Sequence, residues 1–433
     1  MTTTDSAPLR LGIAGLGTVG TGVVKIIQRH ADLLANRSGR AVAISAVSAR
    51  DRHKNRDFDM SDFAWETSPL DLATRDDVDV YVELIGGDTG IAKDSIEAAL
   101  RTGKDVVTAN KALLAIHGHE LAELAESLGR VIRFEAAVAG GIPVIKTLTE
   151  SLAGNGMTRV MGVMNGTCNY ILTRMESAGL PYETVFEEAR QLGYLEADPT
   201  LDVGGIDAGH KLAILSAIAF GTQVDFDAVE IEGIERVSID DINRARDMGY
   251  RIKLLGVAQM TARGLEQRMS PCLVPADSPL GQLVGGTNMV VVEGDSVGQI
   301  VLRGAGAGEG PTASAVMSDI VEIARGVRLP VFGQPAASLT AAQPARTAVP
   351  AAYYMRMELL DKPGALAKVA SVLGDAGISI DRMRQYSHHD GDGVPVLIVT
   401  DKTTPDAIDF AIEQLPKTGV ILGEPVELRI EEV

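Results

Sequence analysis

Residues 9–20 read LRLGIAGLGTVG, an apolar run that leads directly into a glycine-rich turn. The spacing of Gly15, Gly17 and Gly20 predicts a strand, a tight turn and a helix. In such a turn the first glycine permits the bend, the second lets backbone approach a pyrophosphate, and the third lets the helix pack on the strand. The amides at the helix start, with Thr18 and Val19, would hold the anion. The same glycines also suit a plain tight turn, but their place in the first strand–helix unit favours a dinucleotide site.

The segments that follow alternate between strand and helix patterns. Strands are predicted over about 41–49, up to Gly86, and over DVVTAN and VIRFEAAV. Helices are predicted over KDSIEAALRTG and from about Lys111 to Leu128. Such alternation implies a parallel sheet with helices on both faces. We therefore predict an α/β fold that begins with a Rossmann-type domain over residues 1–140.

Small and polar residues end two successive strands of this predicted sheet. ELIGG ends in Gly86 and Gly87, and TANK ends in Asn110 and Lys111. Ligands of open α/β sheets bind at the carboxyl ends of the strands, so these residues should face one crevice. Lys111 also suits a surface helix start, but its location favours a role in the site.

The residues after the second strand bear on the choice of nucleotide. An NAD enzyme commonly has an acid near this strand end, which accepts hydrogen bonds from the ribose hydroxyls. Here Arg50 occupies the neighbourhood, and Arg52, His53 and Lys54 follow it. A guanidinium there would pair with a 2′-phosphate, which favours NADP. Asp51 keeps NAD as the alternative, and a solvated basic loop is the plain interpretation.

The rest of the chain predicts two further regions. Longer β-rich stretches mixed with helices indicate a central α+β domain over 141–306, for substrate binding and dimerisation. A helix over 311–326, within a segment 307–330, is predicted to return to the first domain. Residues 331–352 are rich in Ala, Pro, Ser, Thr and Gln, a linker composition. Residues 353–433 give the order βαββαβ of a ferredoxin-like, self-contained domain.

The densest group of ionisable residues lies in EADPTLDVGGIDAGHK, residues 196–211. A helix that begins near Ile206 would project Asp207 and Lys211 from one face toward the preceding acidic loop. A lysine facing carboxylates there could bind a polar substrate and move a proton. The alternative is a structural salt-bridge network at a helix N-terminus, where the dipole favours acids. Asp198, which precedes a proline, is interpreted as a turn residue.

Composition excludes several classes of protein. The net charge of −18 over 433 residues argues against nonspecific binding of nucleic acid or of an anionic membrane. Two cysteines without a pairing pattern fit a reducing cytoplasm. The N-terminus lacks a secretory pattern, and no apolar run reaches the roughly 20 residues that span a bilayer. A cytoplasmic location is therefore expected.

Several segments together resemble homoserine dehydrogenase. They are GLGTVG, VTANKALL, FEAAVAGGIPVI, NGTCNYIL, LGYLEADPTLDVGGIDAGHKLAILS and GAGAGEGPTASAV, in the expected order over residues 10 to about 330. The later stretch LLDKPGALAKVASVLGDAGISI resembles an ACT domain, a regulatory fold for small ligands. No kinase-like segment precedes the glycine turn, so the resemblance is to the monofunctional form.

The resemblance implies reversible, NAD(P)H-dependent reduction of L-aspartate 4-semialdehyde to L-homoserine, in threonine, methionine and isoleucine biosynthesis. It places the proton-transferring lysine on Lys211 with Asp202 in the catalytic site, and substrate contacts on Glu196, Asp207 and Lys111. Cofactor contacts fall on Gly193, on Lys111 again and on Gly308. A site for a monovalent cation, sodium or potassium, falls on Glu135, Val138, Gly140 and Ile142.

The resemblance also implies regulation and assembly. Threonine is the expected effector of the ACT domain, although a purely oligomerising tail is the alternative. Pairing of ACT domains and of the core domain implies a homodimer or homotetramer. Two rival interpretations are another amino-acid dehydrogenase with an ACT tail and a non-catalytic regulator that senses NADP and an amino acid.

Overall fold

A computed structural model describes residues 7–195, 198–345, 349–386 and 393–432. The N-terminal part is a six-stranded parallel sheet in the order β3-β2-β1-β4-β5-β6. Its strands are β1 Leu9–Ala14, β2 Val42–Ser48, β3 Ala64–Glu66, β4 Val80–Glu83, β5 Asp105–Thr108 and β6 Ile132–Arg133. Its helices are α1 Thr18–Arg29, α2 Ala31–Ser38, α3 Pro69–Thr74, α4 Ile91–Arg101 and α5 Lys111–Ser127. The strand order reverses between β1 and β4, which is the usual ligand-binding point of such a sheet.

Two apolar cores lie on opposite faces of this sheet. Leu11 and Ile13 of β1 share one core with Val23 of α1. Tyr81 of β4 shares the other with Ile96 of α4. The predicted Rossmann-type layering is therefore confirmed, because each face buries its apolar side chains under helices.

The last predicted strand of this sheet is shorter than its sequence suggested. VIRFEAAV forms only the two-residue β6, and a 3₁₀ turn over Glu135–Ala137 follows. Ala139 and Gly140 then adopt positive φ angles of 56° and 52°. The prediction of a full strand was wrong because the chain turns here toward the central region.

The central region combines antiparallel strands with buried helices. It comprises α6 Val144–Lys146, continued by a π-helical turn over Thr147–Ser151, then β7 Met157–Val163, α7 Gly166–Ala178, α8 Tyr182–Gln191, α9 Thr200–Val203, α10 Ile206–Phe220, β8 Glu230–Ile231, α11 Ile239–Asp247, β9 Tyr250–Thr261, β10 Gly264–Pro275, β11 Thr287–Gly294 and β12 Gly298–Ala305. Helix α10 is buried along most of its length, from Ala208 to Ile218. The helix predicted from Ile206 is confirmed, and it places Asp207 in its first turn.

A long helix, α12 (Glu309–Ala324), returns to the first sheet as predicted. Gly22 of α1 permits the close contact, because a Cβ there would lie 2.8 Å from the Glu309 carbonyl and 2.9 Å from Ala313 Cβ. Lys25 and Glu309 form an ion pair of 3.0 Å between the same two helices. The helix therefore completes the face that α1 and α2 cover.

The C-terminal region has the predicted order βαββαβ. Its elements are β13 Ala352–Leu360, α13 Ala365–Asp375, β14 Ile380–Gln385, β15 Gly393–Thr400, α14 Pro405–Gln414 and β16 Ile421–Ile430. Its sheet, however, continues into the central one, in the order β12-β11-β7-β9-β10-β16-β13-β15-β14. The expectation of a self-contained domain was therefore wrong: Cys272 and Leu273 of β10 pair with Arg429 and Ile430 of β16.

Buried ion pairs reinforce this junction. Glu431 pairs with Arg268 and with Arg159, and its Oε1 lies 2.6 Å from Nε of Arg429. The Arg268 and Glu431 side chains are only 6% and 5% exposed. Without Glu431, Arg159 and Arg429 would have no carboxylate partner among the described residues, so this network stabilises the junction of β10 with β16.

The segment predicted as a linker, 331–352, is packed against the protein over its described residues. Phe332 is 1% exposed and its ring lies 5.5 Å from that of Phe134. The Glu126 carboxylate of α5 accepts a 2.8 Å hydrogen bond from the Ala336 backbone. Low-complexity composition predicted a tether, but apolar residues within it anchor the segment. None of the described helices is both long and apolar enough to cross a membrane.

Candidate active site

A cleft of ≈ 670 Å³ lies between the first sheet and the central region. Thr18 and Val19 of α1 line one side, and Asp207 and Lys211 of α10 line the other. The remaining lining residues come from loops and from the ends of helices and strands: Ala109, Lys111, Ala136, Ala137, Gly140, Asn165, Gly166, Thr167, Gly193, Tyr194, Leu195, Asp202, Gly286, Asn288, Gly306, Ala307, Gly308 and Thr312. The cleft therefore joins the predicted cofactor end to the predicted substrate end.

The carboxylate of Asp207 is shared by two lysines. Its Oδ1 lies 2.9 Å from Nζ of Lys111, and its Oδ2 lies 2.6 Å from Nζ of Lys211. Burial opposes the ionisation of Asp207, but the two ammonium groups outweigh it and lower the pKa of the carboxyl. The group is therefore charged at neutral pH and holds both lysines on the wall of the cleft.

Lys211 is held at a second point. Its Nζ donates a 2.9 Å hydrogen bond to the backbone carbonyl of Met164, at the end of β7. An ammonium group has three N–H donors, and Asp207 and Met164 take two of them. Within the described part of the chain this leaves one donor for a ligand oxygen in the cleft. The Lys211 side chain is 11% exposed, so that donor works in a largely dry environment.

Asp202 lies in α9, close to the start of α7. Its Oδ1 accepts a 3.1 Å hydrogen bond from Asn165 Nδ2, and its backbone carbonyl accepts one of 3.2 Å from the Cys168 thiol. Burial, together with Asp202 and Asp207, raises the pKa of that thiol well above its usual value. Cys168 is therefore a packed thiol and no nucleophile, whereas Asp202 faces the cleft.

The glycine turn has the shape that a dinucleotide needs. A Cβ on Gly15 would lie 2.3 Å from the Leu84 carbonyl, and one on Gly20 would lie 2.0 Å from the Gly15 carbonyl. These two glycines therefore permit the turn and its contact with α1. A Cβ on Gly17 would meet nothing within 4 Å, so the space above it is open to a ligand. No side chain caps the start of α1, which leaves its first amides for an anion.

The strand ends beside the turn are organised by Glu83, which is fully buried at the end of β4. Its Oε1 accepts hydrogen bonds from the amides of Ile85 and Gly86 at 2.7 and 3.0 Å. Its Oε2 accepts one of 2.6 Å from the Thr108 hydroxyl at the end of β5. Asn110 then donates a 2.7 Å hydrogen bond to the Gly87 carbonyl. The two strand ends are thus tied together, and Gly86 lies beside the cleft while Lys111 lines it.

Arg50 follows β2 and is exposed. The neighbouring Asp51 carboxylate accepts a 2.8 Å hydrogen bond from the His53 amide, so it is engaged in its own loop. Arg56 is buried behind them and donates to the carbonyls of Leu16 and Asp51 at 3.2 and 2.6 Å. Arg56 therefore fixes the basic loop against the glycine turn, a role that the sequence did not single out.

The segment with the predicted cation site runs along the floor of the cleft. The Glu135 carboxylate accepts 2.9 Å hydrogen bonds from the amides of Ile145 and Lys146, so its side chain faces α6. Burial, then the charge of Asp319, raises the pKa of Glu135 to about 8. Gly140 lines the cleft, while the Ile142 carbonyl accepts a 2.8 Å hydrogen bond from Val144. The reversed backbone at 139–140 fits a loop that offers neutral carbonyl oxygens to a cation.

The structure brings half of the predicted residues to one cleft. The lining includes Thr18, Val19, Lys111, Gly140, Gly193, Asp202, Asp207, Lys211 and Gly308. The other described positions do not line it: Gly15, Gly17 and Gly20 form the turn before α1, and the rest are Arg50, Gly86, Glu135, Val138 and Ile142. Glu196 lies outside the described residues.

The sequence reasoning missed other lining residues, and Asn165, Tyr194 and Asn288 are three of them. Asn165 caps α7 through a 2.8 Å bond from the Cys168 amide, and an asparagine before a helix start is a readable capping signal. Tyr194 stacks on Tyr170 with ring centroids 4.4 Å apart. Asn288 reaches the cleft from β11, and no local pattern in the sequence marks it.

Comparison with known proteins extends these observations. A family model for the NAD-binding domain of homoserine dehydrogenase matches residues 15–135, a homoserine dehydrogenase model matches 143–321, and an ACT domain model matches 353–417. A homoserine dehydrogenase of Pseudomonas aeruginosa is 42% identical over 98% of this chain and 99% of its own length.

Solved structures agree with the sequence relatives. A homoserine dehydrogenase from Thiobacillus denitrificans superposes with a TM-score of 0.92 and 38% identity, covering 98% of this chain and 99% of its own. A hyperthermophilic archaeal homoserine dehydrogenase in complex with NADPH gives a TM-score of 0.62 and 26% identity, covering 73% of this chain and 97% of its own. This chain therefore belongs to the homoserine dehydrogenase family and is an oxidoreductase that acts on a CH–OH group with NAD(P).

Proposed function

We propose that this enzyme interconverts L-aspartate 4-semialdehyde and L-homoserine, that NADP is its preferred cofactor, and that Lys211 transfers the proton. The observation that carries the proposal is the carboxylate of Asp207 held between Lys111 and Lys211 on the wall of the cleft. This arrangement faces Thr18 and Val19 at the start of α1, where the cofactor pyrophosphate would lie. The pathways served would be those of threonine, methionine and isoleucine biosynthesis.

In this proposal Lys211 supplies the proton that aldehyde reduction requires. The bound nicotinamide supplies the hydride to the carbonyl carbon. The third N–H of Lys211 donates to the carbonyl oxygen and passes its proton to the alkoxide as it forms. In the reverse direction neutral Lys211 accepts the hydroxyl proton of homoserine. Because that form requires loss of a proton, alcohol oxidation is favoured at alkaline pH.

The polar residues around Lys211 would hold the amino-acid end of the substrate. Carboxylates suit its ammonium group, which is the role we propose for Glu196 and Asp207, with Asp202 in support. Lys111 lies 2.9 Å from Asp207 and lines the cleft from the cofactor side, so it would contact both ligands. Gly193 and Gly308 offer backbone without a side chain at the same wall.

Arg50 supports the choice of NADP. It is exposed at the end of β2, where a 2′-phosphate would lie, and the Asp51 carboxylate is engaged by the His53 amide. Arg52 lies over the Trp65 ring at 5.8 Å and adds positive charge nearby. The archaeal relative was solved with NADPH, which agrees with this preference. Arg50→Ala should raise the KM for NADPH about tenfold or more, as expected for a lost charge-assisted contact, and leave the KM for NADH nearly unchanged.

The remaining parts of the proposal concern the cation and regulation. A monovalent cation, sodium in the first instance, would be held by backbone carbonyls over Glu135–Ile142, where Ala139 and Gly140 reverse the chain. The C-terminal ACT domain would bind threonine and lower the activity. The active species would be a homodimer or homotetramer, as pairing of the exposed edge strand β14 would allow.

One assay tests reaction, cofactor and regulation together. Steady-state rates are measured with semialdehyde and NADPH or NADH, each with and without threonine in millimolar excess. Lys211→Ala should lose turnover by roughly 10²–10⁴-fold, the usual contribution of a general acid, while NADPH binding by fluorescence titration is retained. An inactive wild-type enzyme would refute the reaction. Unchanged activity and melting temperature with threonine would refute that effector alone.

A further inference from the structure

A second cleft, of ≈ 350 Å³, lies at the amino-terminal ends of the strands of the parallel sheet, away from the active-site cleft. It is lined by residues at or just before the first residues of four strands. Leu9 and Asp105 begin β1 and β5, Asp79 precedes β4, and Arg130 lies two residues before β6. Ile323 and Arg328 add the C-terminal end of α12. The start of α12 borders the active-site cleft, and a 16-residue helix spans roughly 24 Å. The two clefts are therefore separate sites at opposite ends of one domain.

Positive charge is concentrated in this second cleft. Its lining contains three carboxylates, Asp76, Asp79 and Asp105, and six cationic side chains: Arg10, Arg40, Arg75, Lys104, Arg130 and Arg328. Two more carboxylates, Asp77 and Glu66, lie beside the cleft on Arg75, so six cations face five carboxylates in a chain with a net charge of −18. Basic patches of this kind attract anions.

Half of these cations are already neutralised by carboxylates. Arg10 pairs with Asp79 at 2.8 Å, and Arg328 pairs with Asp105 at 2.6 Å. Arg75 pairs with Asp77 at 2.7 Å and also with Glu66. These pairs form a fixed frame around the cleft.

The other three cations, Arg40, Lys104 and Arg130, have no ion-pair partner among the described residues. The Nε atoms of Arg40 and Arg130 are buried without a hydrogen-bond acceptor, which is a costly arrangement for a donor. Lys104 is only 4% exposed, and its Nζ donates to the Thr102 hydroxyl at 3.0 Å. Burial lowers the pKa of Lys104, and this effect outweighs the charges of Asp76, Asp79 and Asp77 nearby.

We propose that this cleft is a binding site for a small polyanion, with Arg40, Lys104 and Arg130 as its recognition groups. The chemistry required is a compact group with two or more negative charges and several acceptor oxygens, as in a phosphate ester or a polycarboxylate. Two guanidinium forks and an ammonium group supply charge-assisted hydrogen bonds to such a group. The volume accommodates a metabolite of this size, and a macromolecular polyanion is disfavoured by the net charge of the chain.

The test must separate this site from the pyrophosphate-binding turn. The full-length protein is saturated with NADPH and titrated by calorimetry at low ionic strength, where screening is weak. The probes are sodium pyrophosphate and sodium citrate, with sodium chloride at matched ionic strength as the blank. We expect one equivalent to bind to the NADPH-loaded protein. Binding of pyrophosphate alone would identify a phosphate ester as the ligand class, and binding of citrate alone a polycarboxylate.

The variants Arg40→Gln and Arg130→Gln assign the binding to this cleft. Each should weaken it by about tenfold or more, because each removes a charge-assisted contact. Arg130→Lys keeps the charge and should weaken it less, which distinguishes a lost contact from a misfolded protein. Arg263→Gln, an exposed arginine at the turn between β9 and β10, is the matched control and should bind like wild type. The proposal is overturned if neither probe binds to the NADPH-loaded protein, or if both glutamine variants bind as tightly as Arg263→Gln.

Discussion

Replacing Asp207 by asparagine tests the centre of the proposed mechanism. The change removes the charge shared by Lys111 and Lys211 and leaves one acceptor oxygen for two ammonium groups. The Asp207 side chain is 15% exposed, so both contacts are largely shielded from water. A hydrogen bond to a charged group contributes about 1.5–3 kcal/mol. The Lys211 contact should contribute more, because the Lys211 side chain is 11% exposed and that of Lys111 is 34% exposed. The substitution should therefore remove roughly 3–4 kcal/mol of interaction free energy at the site.

That loss predicts a fall in kcat/KM of about 10²–10³-fold, at about 1.4 kcal/mol per factor of ten. The assay is the reduction of semialdehyde with NADPH, together with thermal unfolding of both proteins. Asp198→Asn makes the same chemical change nine residues earlier, where the Asp198 side chain is exposed and accepts a 3.1 Å hydrogen bond from the Thr200 amide, and it should retain activity. If Asp207→Asn stays within threefold of wild type while Asp198→Asn does the same, the shared carboxylate plays no part in catalysis.

The same contact should make the difference in stability between wild type and Asp207→Asn depend on pH. The pKa of Asp207 is lowered in the folded protein, so its contribution is fully present above the ordinary value near 3.9 and is lost as the pH falls below it. The gap in melting temperature between wild type and Asp207→Asn should therefore be constant from pH 8 to pH 5 and narrow below about pH 4. A gap that widens on acidification would contradict the assignment.

Three further changes probe other parts of the structure. Gly20→Ala would place a Cβ 2.0 Å from the Gly15 carbonyl, so NADPH binding by fluorescence titration should be lost or strongly weakened. Gly374→Ala, at an exposed position in helix α13 with open space around the Cβ, should leave it intact. Glu431→Gln removes the carboxylate that Arg159, Arg268 and Arg429 share, although Arg268 keeps Glu266, and it should lower the free energy of unfolding by roughly 3–5 kcal/mol, measured by denaturant titration. A loss under about 1 kcal/mol would count against the network. Burial lowers the pKa of Lys253 to about 8, so the folded protein releases this proton at a lower pH than the unfolded chain. The stability of wild type relative to Lys253→Met should therefore rise between about pH 8 and pH 10. A difference in melting temperature that stays constant over that range would contradict this.

Much of the first domain was readable because its signals are local. The glycine spacing at 15–20 predicts one turn, and alternating patterns predict the strands and helices around it. Asp207 and Lys211 were paired correctly because side chains four residues apart on a helix are neighbours on the same face. The residue roles and domain limits proposed from the resemblance stay predictions.

The features that were missed depend on contacts between distant segments. Lys111 lies 96 positions before Asp207, and no sequence pattern shows that a single carboxylate holds both lysines. The junction of β10 with β16 joins Leu273 to Ile430, and the buried partners Arg268 and Glu431 are equally remote in sequence. The segment 331–352 misled for a related reason: its composition is that of a tether, while Phe332 finds its neighbours only in three dimensions.

The C-terminal region is attached to the rest of the protein at two different places. The covalent connection is the segment 331–352, and the noncovalent one includes the pairing of β10 with β16. The polypeptide enters that region through 331–352, but strand pairing and buried charges at residues 429–431, together with the ion pair of Arg356 with Asp241, hold it to the central region. A protease cut in the connecting segment should thus yield two fragments that migrate together under native conditions and separate only in denaturant. A signal from an effector would likewise reach the central region through the pairing of β16 with β10, and not through the connecting segment 331–352.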